Sequence, residues 1–410
     1  MKSRQAFSSH NFTSFFLGVL PAKHSIMRIH LSSSFLALAA TVQTVQATLP
    51  LPSKLVTQFP TRPFWIENVA VRHNGALLLT QLTQSAPATL YTVPSPWVAF
   101  SSGASSTSTS TGAKAKAIHE FSEADALLGI TESLSHPDVF VLVGGVNPTA
   151  NSSGKFFAWT VDFRPAHTHA LPSPHLGLGP DFASSSSDPD VDVVDAGVEP
   201  KITQIANLSS QGILLPNGIA SLPKGNGILI ADSLAGCVWK LDISSGKVEL
   251  AIKVPEMAPS KTAVGVNGIK VVGNKLYWTN SATASVFRVE IDEEGKQTTG
   301  STAEKVATLP AVFADDFAVG PPRKEGDLLW VATNVNNTLV AVDSHTGKTE
   351  AMAGATGSLE LAGATAVAFG RTEKDKGWLY VVTCGGAKAA VNGVVEAGKV
   401  VAVDTRGFVM

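Results

Sequence analysis

The sequence predicts an all-β protein, a six-bladed β-propeller with four antiparallel strands per blade and a ring closed by an N-terminal strand. Three observations lead to this prediction. Four short β-rich runs recur as a unit, the unit has a period of about 50 residues, and an unmatched strand-like run precedes the first unit. Radial repetition of such sheets protects the edges that an open array of strands would expose.

The repeat is clearest from residue 217 onward. Asn217-Gly-Ile-Ala-Ser is followed by Gly227-Ile-Leu-Ile-Ala-Asp, Cys237-Val-Trp-Lys-Leu-Asp and Lys247-Val-Glu-Leu, with Gly, Ser and Asn between the runs. These turn-forming residues between short apolar runs are typical of antiparallel strands. The first strands of the units align at Glu67, Leu128, Asn217, Asn267, Asp315 and Thr365.

Two low-complexity segments lengthen the spacing between units. One runs from 101 to 112, and the other, an insertion at about 165–200 that is rich in Ser, Pro, His and Asp, is expected to be disordered. The last unit lacks a fourth strand. Residues 53–59 are expected to supply it and so to join both ends of the domain, 48–410, in one blade.

Composition excludes several classes of function. The 410 residues include 31 basic and 33 acidic side chains, a net charge of −2, so no basic excess marks a nucleic-acid-binding surface. Cys237 and Cys384 are the two cysteines, which are too few for a disulfide framework or a cysteine-rich zinc site. We expect a folded protein whose partners are small molecules, and nothing in the sequence indicates its oligomeric state.

The start of the chain predicts export. Residues 27–47 combine a basic end, an apolar run and a small-residue site, the pattern of a signal peptide, whereas a short buried helix is the alternative. Residues 1–26 are then an extension upstream of the working protein. No other apolar stretch is long enough to cross a bilayer. We therefore expect a secreted protein or one of the secretory pathway, with glycan acceptors at Asn151, Asn207 and Asn336.

Four of the aligned first-strand positions carry oxygen donors: Glu67, Asn217, Asn267 and Asp315. In a propeller these positions converge at one mouth of the central channel. Carboxylate and amide oxygens are the donors that Ca²⁺, Mg²⁺ and Mn²⁺ prefer. The alternative is that each Asn-Gly pair only forms a turn, because Asn tolerates left-handed backbone angles.

The quartet Glu67, Asn217, Asn267 and Asp315 resembles the metal-ligand set of the senescence marker protein/gluconolactonase family, six-bladed propellers that open lactones with a divalent cation. Glu67-Asn-Val and Ala314-Asp315-Asp316 depart from that family's Glu-Gly-Pro and Pro-Asp-Gly. A closer resemblance is to the fungal hetero-Diels–Alderases of tropolone sesquiterpenoid biosynthesis. It is carried by Trp65-Ile-Glu-Asn-Val-Ala-Val-Arg, Leu215-Pro-Asn-Gly-Ile-Ala, Val266-Asn-Gly-Ile-Lys, Leu276-Tyr-Trp-Thr-Asn and Phe313-Ala-Asp-Asp-Phe-Ala-Val.

The closer resemblance implies a cycloaddition that joins a tropolone-type quinone methide to a terpene alkene and needs no cofactor. Such a reaction requires a cavity that orients two apolar partners and hydrogen bonds that polarise the diene oxygen. The expected catalytic residues are Glu67, Asn217, Asn267, Asp315 and Asp316. The expected substrate contacts are Phe64, Trp65, Phe313, Phe317, Tyr277, Trp278, Asn280, Asp232, Asn334 and Thr365, although the aromatic residues also suit ordinary packing and the polar ones also suit turn capping.

Two other functions stay open. One is a lactonase or esterase that uses Ca²⁺, Mg²⁺ or Mn²⁺, with Glu67, Asn217, Asn267 and Asp315 as ligands and Asp316 as the base. The other is a noncatalytic propeller that binds a ligand. The insertion's His167, His169 and His175 lack convergent partners for zinc, and the sequence contains no Gly-x-Ser-x-Gly elbow, phosphate loop or dinucleotide fingerprint.

Overall fold

The computed structural model describes residues 48–83, 87–97, 113–148, 153–165, 199–225 and 227–410. These residues belong to one compact unit, Val45–Met410. The upstream extension 1–26, the signal peptide 27–47, the run 101–112, Asn151 and most of the 165–200 insertion lie outside the described residues. No helix in the described ranges has the length and hydropathy needed to span a membrane.

The chain folds into short β-strands. The first nine are β1 (Ser53–Gln58), β2 (Trp65–Val71), β3 (Leu77–Leu82), β4 (Ala88–Val93), β5 (Lys116–Phe121), β6 (Ala126–Glu132), β7 (Val139–Val146), β8 (Lys155–Asp162) and β9 (Lys201–Asn207). The next eight are β10 (Pro216–Ser221), β11 (Gly227–Asp232), β12 (Cys237–Asp242), β13 (Val248–Ile252), β14 (Val266–Val272), β15 (Lys275–Asn280), β16 (Ser285–Glu290) and β17 (Glu304–Thr308). The last seven are β18 (Phe317–Val319), β19 (Leu328–Thr333), β20 (Thr338–Asp343), β21 (Thr349–Gly354), β22 (Ala364–Phe369), β23 (Trp378–Thr383) and β24 (Lys399–Asp404). Two 3₁₀ helices, Ser209–Gln211 and Pro255–Met257, lie between strands.

These strands form a β-propeller arrangement of antiparallel four-stranded sheets. Four sheets are separate: β10 to β13, β14 to β17, β18 to β21, and β22 to β24 with β1. The other eight strands form one sheet, in which β2 to β5 and β6 to β9 are joined where Leu82 pairs with Ala126. The prediction of six separate sheets therefore differs from the structure here. The cause is local, since the Thr83 amide also donates to the Asp125 carbonyl at 2.7 Å and extends β3 onto β6.

The N-terminal strand takes the place that the sequence predicts for it. β1 pairs antiparallel with β24, from Ser53 opposite Val403 to Gln58 opposite Lys399. The Leu51 amide donates to the Met352 carbonyl at 2.7 Å, so the residues before β1 also contact the neighbouring sheet. The two ends of the domain thus share one sheet.

Strand burial follows from the sequence of each run. β11, β19 and β23 are buried along their whole length, and each is a continuous apolar run with little alternation. Such runs fit strands whose two faces are both covered by neighbouring sheets. By contrast, β13 and β17 at the sheet edges are partly exposed and carry charged residues. Charged edge strands discourage pairing with other chains.

The described residues bury six apolar clusters, each drawn from strands that pack against one another. One cluster contains Trp278 of β15 and Ala231 of β11. Another contains Leu79 of β3 and Tyr380 of β23, and so links the first strands of the chain to the last. The core is therefore distributed between sheets and not gathered at one centre.

The first strands of the four-stranded units, β2, β6, β10, β14, β18 and β22, contact one another. β2 contacts β6 and β22, β10 contacts β6 and β14, and β18 contacts β14 and β22. Glycine makes this approach feasible: a β-carbon at Gly218 would lie 2.6 Å from the Asn267 carbonyl oxygen, and one at Gly268 would lie 2.3 Å from Asp316 Oδ1. The Asn-Gly pairs of the repeat thus serve close packing of strands as well as any turn.

Candidate active site

Polar side chains lie where the first strands depart from regular pairing. The register of β2 against β3 shifts between Ile66 and Asn68, on either side of Glu67. The shifts in β10 and β14 occur at matching places and contain Asn217 and Asn267. An irregularity of this kind releases a residue from the ladder and re-aims its side chain. The alignment made from sequence therefore corresponds to a repeated structural feature.

Asp315 lies just before β18 and is held on both sides. Its amide donates to the Ala332 carbonyl at 2.9 Å. Its carboxylate accepts from two side-chain amides, with Asn267 Nδ2 3.0 Å from Oδ1 and Asn334 Nδ2 3.0 Å from Oδ2. Two side-chain amides from two sheets, Asn267 of β14 and Asn334 just after β19, thus meet at the Asp315 carboxylate.

Glu67 is a second buried carboxyl group of this site. Its Oε2 accepts a hydrogen bond of 2.5 Å from Trp65 Nε1. Glu67 is 9% exposed and Asp315 is 6% exposed. Burial, with the charge of Asp315 next, raises the pKa of Glu67 to about 8, while burial raises the pKa of Asp315 to about 7. Near neutral pH the two groups together therefore hold a proton that ordinary carboxyls would lose.

Lys388 is a site residue that sequence reasoning missed. Its Nζ lies 3.2 Å from the centroid of the Phe313 ring, a cation–π contact. Burial lowers the pKa of Lys388, and the nearby charges of Asp315 and Glu67 oppose that effect. Lys388 lies between β23 and β24, in a Gly-Gly-Ala segment that matches no part of the repeat, so the alignment could not find it.

Asn267 carries a buried oxygen without a partner. Its Nδ2 donates to Ser281 Oγ and to Asp315 Oδ1, both at 3.0 Å. The Ser281 hydroxyl in turn donates to the Ala314 carbonyl at 2.6 Å, so it accepts from the amide. Asn267 Oδ1 is left with no hydrogen bond although the residue is only 2% exposed. A buried acceptor in this state costs about 1–3 kcal/mol, which a bound donor or cation would offset.

Asp316 is fully engaged in the structure. Oδ1 accepts from Lys270 Nζ at 2.6 Å and from the Phe317 amide at 2.7 Å, and Oδ2 accepts from Asn68 Nδ2 at 2.9 Å. Its role as a base, expected from sequence, stays a prediction. The contacts place it as an anchor between β2, β14 and β18.

The expected substrate contacts fall into three groups: one lies at the site, one is buried in apolar clusters and one makes hydrogen bonds within the fold. Trp65, Phe313 and Asn334 touch the carboxyl groups or Lys388, as described above. Tyr277, Trp278 and Phe317 are fully buried in the apolar clusters between sheets. Phe64 is also buried and stacks on Phe59 with ring centroids 3.8 Å apart.

Three expected polar contacts are used within the fold. Asp232 accepts from the amides of Leu214 and Ala235, at 2.8 and 3.0 Å. Asn280 Nδ2 donates to the Glu256 carbonyl at 2.9 Å. The Thr365 hydroxyl donates to the Ile66 carbonyl at 2.7 Å and so connects β22 to β2. These bonds position the segments that carry the site, and sequence spacing gives no sign of them.

The half-buried Asn217 makes no hydrogen bond to Glu67, Asn267 or Asp315. Within the described ranges no group of three or more His, Cys, Asp and Glu side chains could hold a metal ion. Two carboxylates and the unpartnered Asn267 Oδ1 nevertheless provide the hard oxygen donors that a divalent cation accepts. Glu67, Asp315 and Asn267 thus carry the type of oxygen donor that fits such an ion, whereas no hydrogen bond among the described residues brings Asn217 to them.

The two predicted glycan acceptors that the structure describes differ in setting. Asn207 is exposed at the end of β9. Asn336 is half-buried, and its Oδ1 accepts from the Val312 amide at 2.8 Å. Asn207 is thus the more accessible of the two.

Comparison with known proteins agrees with the motif resemblance. The provisionally named hetero-Diels–Alderase asR5 of Sarocladium schorii is 30% identical over 381 residues, which are 88% of this chain and 85% of the relative. A similarly named protein of a Phoma species is 28% identical over 384 residues, 87% of this chain and 95% of the relative. A luciferin-regenerating enzyme of known structure is 14% identical, with a TM-score of 0.53, and the match covers 87% of this chain and 96% of that one.

No family model matches the sequence. The structural neighbour supports the fold alone. The relative from Sarocladium schorii reaches 30% identity over most of both chains, so the resemblance drawn from the motifs is confirmed. The chain therefore belongs to the hetero-Diels–Alderase family.

Proposed function

We propose that the protein catalyses a hetero-Diels–Alder cycloaddition between a tropolone-type quinone methide and a terpene alkene. One structural observation carries the proposal: Glu67 and Asp315 are buried carboxyl groups of one site, which also contains the aromatic side chains of Trp65 and Phe313. Burial raises the pKa of both carboxyl groups, which favours a proton held at this site. The names of the two sequence relatives support the same reaction class.

The reaction needs no covalent bond between the protein and either substrate. The carbonyl oxygen and the exocyclic carbon of the quinone methide add to the two alkene carbons, so one C–O and one C–C bond form together. The electrons come from the π bonds of both partners, and no proton, electron or leaving group is exchanged. Catalysis then consists of orienting the partners and stabilising charge that develops on the oxygen.

In this proposal Glu67 is the hydrogen-bond donor to the quinone-methide oxygen. The two amides that donate to Asp315 stabilise Asp315 as the carboxylate, which leaves Glu67 to hold the proton. Trp65 holds Glu67 Oε2, which leaves the other carboxyl oxygen to carry the proton. A carboxylic acid kept neutral by burial is a stronger donor than water at the same place. Trp65 and Phe313 supply apolar surface for the hydrocarbon partner.

The test is a product assay with Glu67 variants. The quinone methide is generated in solution from a hydroxymethyl precursor and offered a macrocyclic sesquiterpene alkene. We expect Glu67→Leu to lower the catalysed rate by about 100-fold, as loss of one oriented donor does elsewhere. Glu67→Gln, whose amide still donates, should retain more activity than Glu67→Leu.

The matched control is Glu290→Gln, a change to an exposed carboxylate at the end of β16. It should leave rate and product ratio unchanged. A Glu67→Leu variant that is folded and as fast and selective as the wild type would contradict the proposal.

The second candidate is a divalent-metal-dependent lactonase or esterase, favoured by the unpartnered Asn267 Oδ1. Glu67, Asn217, Asn267 and Asp315 would hold the ion, which when bound would polarise a carbonyl as a Lewis acid. The product assay separates the candidates. Cycloaddition that persists after dialysis against EDTA supports the first, whereas lactone hydrolysis that needs added Ca²⁺, Mg²⁺ or Mn²⁺ supports the second.

We also infer a six-bladed ring that β1 closes, with β2 to β5 and β6 to β9 acting as separate blades of the eight-stranded sheet. Two observations support this inference. The six first strands contact one another in cyclic order, and an apolar cluster packs the sheet of β22 to β24 against β2 and β3. Such a ring would bring the starts of all six first strands to the same mouth of a central channel.

A further inference from the structure

A cavity of about 430 Å³ lies at the far ends of four first strands. The last residues of β6, β10, β14 and β18 line it, together with the loops that follow β6 and β18. Its apolar surface comes from Leu134, Ala220, Val271, Val319, Pro321 and Pro322. Small-molecule sites in proteins have volumes in this range and are mostly apolar, with a few polar groups.

This cavity is separate from the carboxyl pair. Asn267, which contacts Asp315, begins the irregular part of β14, whereas Val272 at the end of the same strand lines the cavity. At roughly 3.3 Å per residue, the two positions are about 16 Å apart along the strand. The carboxyl pair and the cavity therefore lie near opposite ends of β14.

Most charges around the cavity are neutralised by a partner. Glu132 is paired with Arg371 at 2.5 Å, and Lys270 with Asp316 at 2.6 Å. The carboxylate of Asp327 has no cationic partner in the described part of the chain and accepts a hydrogen bond of 2.8 Å from the hydroxyl of Tyr277. The surroundings thus carry a slight negative excess, which opposes an anionic ligand and leaves a neutral one unopposed.

Lys270 provides a donor for such a ligand. An ammonium group has three N–H donors. Among the described residues Asp316 is the hydrogen-bond acceptor for Lys270, and the ring of Phe317 lies 5.2 Å from Nζ. Further N–H donors of this half-buried ammonium are therefore available to a molecule in the cavity.

We propose that the cavity is a second ligand site, which takes a neutral, mostly hydrocarbon molecule whose single oxygen acceptor hydrogen-bonds to Lys270. The apolar lining supplies most of the binding free energy. The ammonium selects molecules with a carbonyl, ether or hydroxyl oxygen over pure hydrocarbons. Ligand binding here does not require the cycloaddition proposed for the carboxyl pair, although Lys270 also bonds to Asp316, the chain neighbour of Asp315.

Three fluorescent naphthalenes test this chemistry. Prodan is neutral and carries a carbonyl acceptor, N-phenyl-1-naphthylamine is neutral without a comparable acceptor, and 8-anilino-1-naphthalenesulfonate is an anion. We expect prodan to bind one equivalent of the wild-type protein with a blue-shifted emission and to bind more tightly than either of the other two.

Variants then assign the binding to this cavity. Val319→Trp places an indole in it and should weaken prodan and N-phenyl-1-naphthylamine alike, by at least ten-fold. Lys270→Met should weaken prodan by about ten-fold, the effect of one hydrogen bond to a charged group, and N-phenyl-1-naphthylamine by less than two-fold. Lys270→Arg keeps a charged donor and should stay within about three-fold of the wild type for prodan.

The controls lie away from the cavity. Leu250→Trp adds an indole on the exposed strand β13, and Lys305→Gln removes an exposed ammonium that lies 5.7 Å from the Phe287 ring. Neither should change prodan binding. Prodan binding that Val319→Trp leaves intact, or a loss of both neutral probes to the same extent in Lys270→Met, would overturn the proposal. If Lys270→Met does not fold, Val319→Trp and Lys270→Arg decide it.

Discussion

At the scale of single residues, the site contains two buried carboxyl groups that would both be ionised in water at neutral pH. Glu67 and Asp315 are buried close together, and their proton is retained because burial and mutual repulsion disfavour two charges. Lys388 and the amides of Asn267 and Asn334 limit that repulsion. The balance gives one neutral acid and one carboxylate, the pairing that hydrogen-bond catalysis needs.

This balance predicts a pH dependence of activity and stability. The rate should fall as the pH rises through about 8, because Glu67 then loses its proton. The free energy of unfolding should also fall as the pH rises. Between the ordinary pKa of 4.5 and about 8, the folded protein holds a proton that the unfolded chain releases, so rising pH favours unfolding.

The measurement is chemical denaturation of the wild type and Glu67→Gln at pH 5 and pH 9. The wild type should lose more unfolding free energy than the variant between these values, by at least about 1 kcal/mol. Equal losses in both proteins would show that Glu67 titrates as it does in water.

At the scale of elements, β1 adds the outer strand to the sheet of β22 to β24. Without it the backbone groups of β24 that face β1 would be exposed, and Val56 would leave the apolar cluster that contains Tyr380. Strand β1 is short, so its contribution comes from completing an edge and not from its own stability.

Removing residues 48–60 should therefore lower the melting temperature by several degrees, as loss of about 2 kcal/mol would in a domain of this size. Thermal unfolding followed by circular dichroism measures the effect. A chain of unchanged length, with Val56→Ser in β1 and Phe59→Ser just after it, loses two buried apolar side chains and serves as the control for chain length. An unchanged melting temperature after the deletion would refute the closing role of β1.

At the scale of the whole molecule, periodicity carried most of what the sequence could predict. Aligned strand starts identified Glu67, Asn267 and Asp315, which the structure brings to one place. Lys388 could not be found this way because it lies in a loop outside the repeat. The turn-capping bonds of Asp232 and Asn280 depend on how loops fold back, and the joined sheet depends on the single pair of Leu82 and Ala126.

Localisation is also a property of the whole chain, and we propose entry into the secretory pathway. The signal-like pattern at 27–47 and the exposed acceptor Asn207 support this proposal. Expression of residues 27–410 in a filamentous fungus should yield protein in the medium that begins near Thr48. Without glycosidase treatment, the secreted Asn207→Gln variant should have a lower mass than the secreted wild type. Retention inside the cell with an intact residue 27 would contradict it.

The pairing of β1 with β24 has a consequence for biosynthesis. A ribosome makes β1 before the other described strands and β24 after them, so β1 waits unpaired while the intervening sheets assemble. Long-range pairing of this kind is slow and leaves edges open to wrong partners in the meantime. Nascent chains that stop short of Lys399 lack the mate for β1, which would mark them for a chaperone or a protease.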